Sequence, residues 1–229
     1  MTIDTKDLLN SMIASFERMS YIKPEEIPDI DLYMDQVTTF MDDRLRASTR
    51  NKNDDKLMTK TMINNYAKND VIPPPIRKKY NKEHLLLLIM IYYFKSILQI
   101  NDIKDLLDPI VEKYFNSESE FGIEDIYRTI FDDKEEQLAG ICEDVVKQYK
   151  EALTKFSDAP ESDKDYLQIY SFVCTLGCDV FVKKLVIEKI VDSLREHRKE
   201  ETAKEKSGEG SSKDNKYDVT VDKKDKGKK

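Results

Sequence analysis

The run Thr59-Lys60-Thr61-Met62-Ile63-Asn64-Asn65-Tyr66, with Val71-Ile72-Pro73-Pro74 after it, decides how this chain is read. Met62, Ile63 and Tyr66 recur at the spacing of one helical face, and Lys60, Thr61, Asn64, Asn65 and Lys68 fill the other positions. Thr59 is expected to cap the helix, its hydroxyl accepting from the free amides of the first turn. Pro73, Pro74 and Pro75 cannot donate backbone hydrogen bonds, so the helix must end before them. A short helix that is apolar towards a scaffold and carries small polar or basic side chains outward suits the reading of DNA. Asn matches the paired donor and acceptor of adenine, while Lys and Thr reach phosphates or base edges. The proline-stiffened segment then presents Arg77, Lys78 and Lys79, a candidate phosphate clamp. Arg44, Arg46, Arg50, Lys52 and Lys56 add contacts from the polar loop ahead of the helix.

Charge along the chain favours the same region. The 229 residues carry a formal net charge of −7, but the charge is unevenly distributed. Residues 1–43 hold 3 basic and 10 acidic groups, and residues 83–157 hold 8 against 16. Between them, residues 44–82 hold 11 against 3. Physiological salt screens charges beyond about 8 Å, so such a window acts locally inside an acidic chain.

Outward from this window the pattern is helical. Only 6 glycines and 7 prolines interrupt the chain. Amphipathic helices are predicted over residues 1–22 and from Asp31 to about Leu45. Asn81 is expected to cap an all-round apolar helix reaching Phe94, and Asn101 a further one that Pro109 kinks or restarts. Helices then follow at about 122–131, 133–156 and 162–199. Cys174 and Cys178 stand one turn apart among Phe172, Val173, Leu176 and Val180, which points to buried small hydrophobes. After Glu200 the composition cannot bury a core, and a disordered charged tail is expected.

The 59–74 run resembles the recognition helix and wing entry of MerR-type regulators. Tyr80-Asn81-Lys82-Glu83-His84-Leu85 is similar to the helix start after that family's wing, and Lys95 to Leu107 to its two closing helices. Asp31 to Leu107 resembles more closely still an uncharacterised bacterial family, the domain of unknown function 1836, in the blocks "LYMDQVTTF", "LMTKTMINNYAK", "IPPP" and "KKYNKEHL". The MerR-type pattern has Arg and Tyr where Asn64 and Asn65 stand, and Gly where Asp70 stands. The resemblance implies an all-α protein with a MerR-like winged helix-turn-helix lobe at residues 31–108, preceded by an N-terminal helix and linker at 1–30. A helical dimerisation or sensing lobe at 109–199 and the tail at 200–229 complete the organisation. It also implies double-stranded DNA and a second copy of the chain as partners. The DNA-contacting set is Arg50, Lys52, Thr59, Lys60, Thr61, Asn64, Asn65, Lys68, Arg77, Lys78, Lys79 and Tyr80.

Other classes find little support. The longest apolar run, Leu85 to Phe94, is far short of the roughly 20 residues that span a bilayer. With no secretory leader and three cysteines, a soluble protein of a reducing, cytoplasmic setting is expected. Two histidines supply too few ligands for zinc, and no phosphate-binding glycine loop or nucleophile–base pairing is legible. No cofactor and no enzymatic activity are therefore expected. The rival reading is a helical adaptor that turns the basic face to an acidic partner.

Overall fold

The computed structural model describes residues 5–16, 21–46, 49, 57–131 and 134–207. Among them the regular structure is eight α-helices, one 3-10 turn at Pro24–Glu26 and a single two-stranded sheet. The helices are α1 (Thr5–Phe16), α2 (Met34–Leu45), α3 (Lys60–Lys68), α4 (Lys82–Phe94), α5 (Ile100–Tyr114), α6 (Ile123–Phe131), α7 (Lys134–Ala152) and α8 (Glu161–Ser207). The strands are β1 (Leu32–Tyr33) and β2 (Lys79–Tyr80), paired antiparallel with Leu32 opposite Tyr80 and Tyr33 opposite Lys79.

That pairing moves the start of α2. A helix was expected from Asp31, but Leu32 and Tyr33 are held extended by a strand more than forty residues away, which local periodicity does not register. At α5 the cap is Gln99 rather than Asn101, because the Asp102 carboxylate accepts from the Gln99 amide at 3.2 Å and closes the first turn. Pro109 lies inside α5 without ending it.

The main core is built around α4, whose residues from His84 to Ile91 are all buried. Val37 and Met41 of α2, Ile63 and Tyr66 of α3, Ile103 and Leu107 of α5, and Ile123 and Tyr127 of α6 pack with it. The core therefore runs past residue 108, and the boundary expected there falls within α5. Tyr127 closes the unit from end to end: its buried hydroxyl donates to the Ile22 carbonyl at 2.8 Å. A smaller cluster gathers Tyr149 and Ala152 of α7 and Phe172 of α8, with Leu9 of α1 at its edge.

Cys174 and Cys178 are exposed, not buried as their apolar neighbours suggested. Phe172 is on the covered side of this stretch, and neighbours on one side leave the other sides of an all-round apolar helix open. The helix also persists to Ser207, beyond the Lys199 at which it was expected to end. The added turns, from Glu200 to Lys206, are rich in Glu and Lys, which favour helix. Among the described residues, those from Arg195 to Ser207 fall in a second unit. The tail beyond residue 207 lies outside the described residues.

Candidate nucleic-acid interface

Thr59 caps α3 as expected, its Oγ1 accepting from the Met62 amide at 3.2 Å. At the other end Asp70 is left-handed, with φ of 54°, and the Val71 amide donates to the Tyr66 carbonyl at 2.8 Å. The Asp70 amide donates to the Ala67 carbonyl at 3.3 Å, which completes a Schellman closure with Asp in the position glycine usually fills. Lys104 of α5 supports this end: its ammonium donates to the Asn69 carbonyl at 3.1 Å and lies 3.6 Å from the Asp70 carboxylate. A cation there also complements the negative end of the helix dipole.

Between these caps the helix divides cleanly. Ile63 and Tyr66 are buried, whereas Lys60, Thr61, Asn64, Asn65 and Lys68 are all exposed. Lys60 forms an ion pair with Asp35, in the first turn of α2.

The second basic element is a two-residue β-turn. The Ile76 amide donates to the Lys79 carbonyl at 3.0 Å, and the Lys79 amide returns a bond to the Ile76 carbonyl at 2.9 Å. Arg77 and Lys78 between them are both left-handed, with φ of 51° and 66°, the signature of a type I′ hairpin turn. Both side chains are exposed. Lys79 is half-buried and sets its ammonium 5.3 Å from the centre of the Tyr33 ring. Tyr33 and Asp35 are two residues apart, so the start of α2 joins the hairpin to the N-terminus of α3.

Several expected contacts fall elsewhere. Tyr80 is buried opposite Leu32 and stacks edge-on against His84, so it belongs to the scaffold. Arg44 pairs with Glu26, Arg46 with Asp42, and Lys82 with Glu124 at 2.8 Å and Asp29 at 3.5 Å. Much of the excess positive charge of residues 44–82 is therefore spent within the fold, by carboxylates that lie outside the window in sequence. Among the described residues, Lys68, Arg77 and Lys78 make no ion pair. Arg50, Lys52 and Lys56 lie outside the described residues.

One residue that sequence reasoning passed over supports the whole arrangement. His84 is fully buried at the start of α4, with Nδ1 3.2 Å from the Asn81 amide and its ring edge-on to Tyr80 and Phe115. Asn81 caps α4 by accepting from the His84 amide at 3.1 Å. Burial lowers the His84 pKa, an effect that the Pro74 and Pro73 carbonyls oppose. Its Nε2 has no hydrogen-bond partner among the described residues. The legible signal was a histidine at the third position after a helix cap, where it can reach back to the cap amide.

Comparison with known families bears on this region. Residues 22–130 match the model of the Domain of unknown function (DUF1836). The match begins at Ile22 and takes in α6, so its two ends are the segments that the Tyr127–Ile22 hydrogen bond ties together. No curated protein and no solved structure matches the chain. Among the described residues, no helix is long and apolar enough to cross a membrane, and no group of three or more potential ligands could hold a metal ion.

Proposed function

We propose that this chain is a sequence-specific double-stranded DNA-binding protein, a transcriptional regulator with a MerR-like winged helix-turn-helix. In this reading α3 is the recognition helix, the hairpin turn at Arg77 and Lys78 is the wing, and a homodimer is the active form. One observation carries it: α3 buries Ile63 and Tyr66 and turns Lys60, Thr61, Asn64, Asn65 and Lys68 outward, linked through the start of α2 to a turn with two exposed cations. The outward residues combine amide donor–acceptor pairs with phosphate-reaching cations, as base readout and backbone positioning require.

The test is a binding selection on randomised duplex DNA with the wild type, Asn64→Ala and Asn65→Ala. Exposed helical Asn→Ala favours the helix, so both variants should fold. One variant should lose discrimination at a single base position, worth about 1 to 3 kcal/mol, with its salt dependence unchanged. Identical preferences in all three proteins would remove α3 from base reading.

With Lys60, Arg44, Arg46 and Lys82 paired to intrachain carboxylates, the exposed cations left to this face are Lys68, Arg77 and Lys78, and the adaptor reading turns them to an acidic protein. An adaptor should bind an acidic protein partner and show no preference among DNA sequences.

A further inference from the structure

Between α3 and the α4–α5 corner lies an open groove of about 310 Å³, at the lower end of the range for small-molecule sites. Its walls are apolar: Met62 comes from α3, and Leu98, Ile100 and Ile103 come from the α4–α5 corner. Asn65, Tyr66 and Lys95 line it as well. Lys95 is the unusual one. It is half-buried just after α4, where burial lowers its pKa. Its ammonium donates to the Leu57 carbonyl at 2.6 Å and sits 5.0 Å from the centre of the Tyr92 ring. Among the described residues no carboxylate pairs with it. A partly desolvated ammonium with three donors, neutralised by nothing stronger than a carbonyl and a ring face, gains substantially from an anion.

We propose that this groove binds a small monocarboxylate with a short apolar tail, its carboxylate on Lys95 and its tail against Met62, Leu98, Ile100 and Ile103. The apolar walls exclude a strongly hydrated inorganic anion, and the single cation favours one negative charge over two. The ligand's carboxylate replaces the Leu57 carbonyl on the Lys95 ammonium. Leu57 lies two residues before Thr59, the cap of α3, so an occupant acts on the segment that leads into this helix. Any effect on DNA affinity is reciprocal with ligand affinity; that consequence rests on the DNA-binding proposal, whereas ligand binding itself does not.

The experiment titrates hexanoate into the full-length protein without DNA, followed by calorimetry and by amide and methyl NMR shifts. Saturable binding is expected, with shifts concentrated at Leu57, Met62, Leu98 and Ile103. Acetate, which lacks the tail, and hexanol, which lacks the charge, should each bind at least tenfold more weakly. Lys95→Met should weaken hexanoate at least tenfold, and Lys113→Met, exposed in the last turn of α5 and outside the groove lining, should leave it unchanged. Met62→Trp fills the groove while keeping Lys95, and it should abolish binding even if Lys95→Met proves unstable. Absence of saturable binding, equal affinity for hexanol, or full affinity in a folded Lys95→Met or Met62→Trp protein overturns the proposal.

Discussion

Arg77 and Lys78 occupy backbone positions that suit neither of them. Type I′ turns favour Asn-Gly because both central residues are left-handed, a conformation that costs a long side chain about 1 kcal/mol or more. Here the two positions hold exposed cations with φ of 51° and 66°. The cost is reasonable if the charges are used outside the fold. Arg77→Asn with Lys78→Gly should therefore raise stability by about 1 to 2 kcal/mol in denaturant unfolding. The same protein should bind every DNA sequence more weakly, with its log–log salt slope reduced by about 0.9 for each lost phosphate contact. A gain in stability with an unchanged salt slope would leave the turn without a role in DNA binding. The positive window was visible in the chain, but the handedness of these two residues was not. It follows from β2 folding back on Ile76 and pairing with β1.

At the scale of elements, two helices are set by residues far from them in sequence. Helix α3 is held from outside at both approaches: Lys95 bonds the Leu57 carbonyl before its cap, and Lys104 bonds the Asn69 carbonyl after its last turn. Helix α4 begins on the Asn81–His84 pair, and burial lowers the pKa of His84. An unfolded histidine titrates near pH 6.5, and the folded one titrates lower. Well above pH 6.5 neither state holds the proton, and the full stability is present. As the pH falls below that value the unfolded chain takes up the proton first, so stability declines until the folded pKa is reached. His84→Gln keeps a side chain able to accept from the Asn81 amide but does not titrate. Its loss of unfolding free energy between pH 7.5 and 5.5 should be smaller than that of the wild type by up to about 1.4 kcal/mol per pH unit. Equal acid sensitivity in the two proteins would place the titrating groups elsewhere. The cap at Asn81 was readable from sequence, whereas the burial of His84 beneath Tyr80 and Phe115 was not, because those rings arrive from β2 and from the end of α5.

For the whole molecule, the decisive feature is what α8 leaves uncovered. Between Tyr166 and Leu194, ten large apolar side chains are 42–66% exposed. At roughly 100 Å² each they present on the order of 1,000 Å², against about 800 Å² per partner in a standard interface. Isolated monomers rarely leave that much apolar surface open. Val173 and Val180 stand seven residues apart on one side of the helix, 59% and 66% exposed. A second copy of α8 is the occupant that the dimer proposal requires. Sedimentation should find the wild type dimeric, and Val173→Glu with Val180→Glu should yield a monomer of unchanged helicity. A monomeric wild type, or a dimer that survives both charges, would defeat this assignment.

Periodicity and caps by themselves determined that the chain is mostly helical, that Thr59 caps α3 with Ile63 and Tyr66 inward, and that α4 is the buried helix. Such features depend on side-chain spacing within a few residues and on backbone groups that must be satisfied locally. Only the tertiary structure decided the rest. β1 interrupts the expected start of α2 because its partner is distant in sequence. The core closes at Tyr127 because its hydroxyl finds the Ile22 carbonyl across more than a hundred residues. The basic window loses much of its charge because Glu26, Asp29, Asp35 and Glu124 fold onto it. Cys174 and Cys178 face outward because an apolar sequence specifies which side chains avoid water, whereas the number of neighbours available to cover them is settled only by packing.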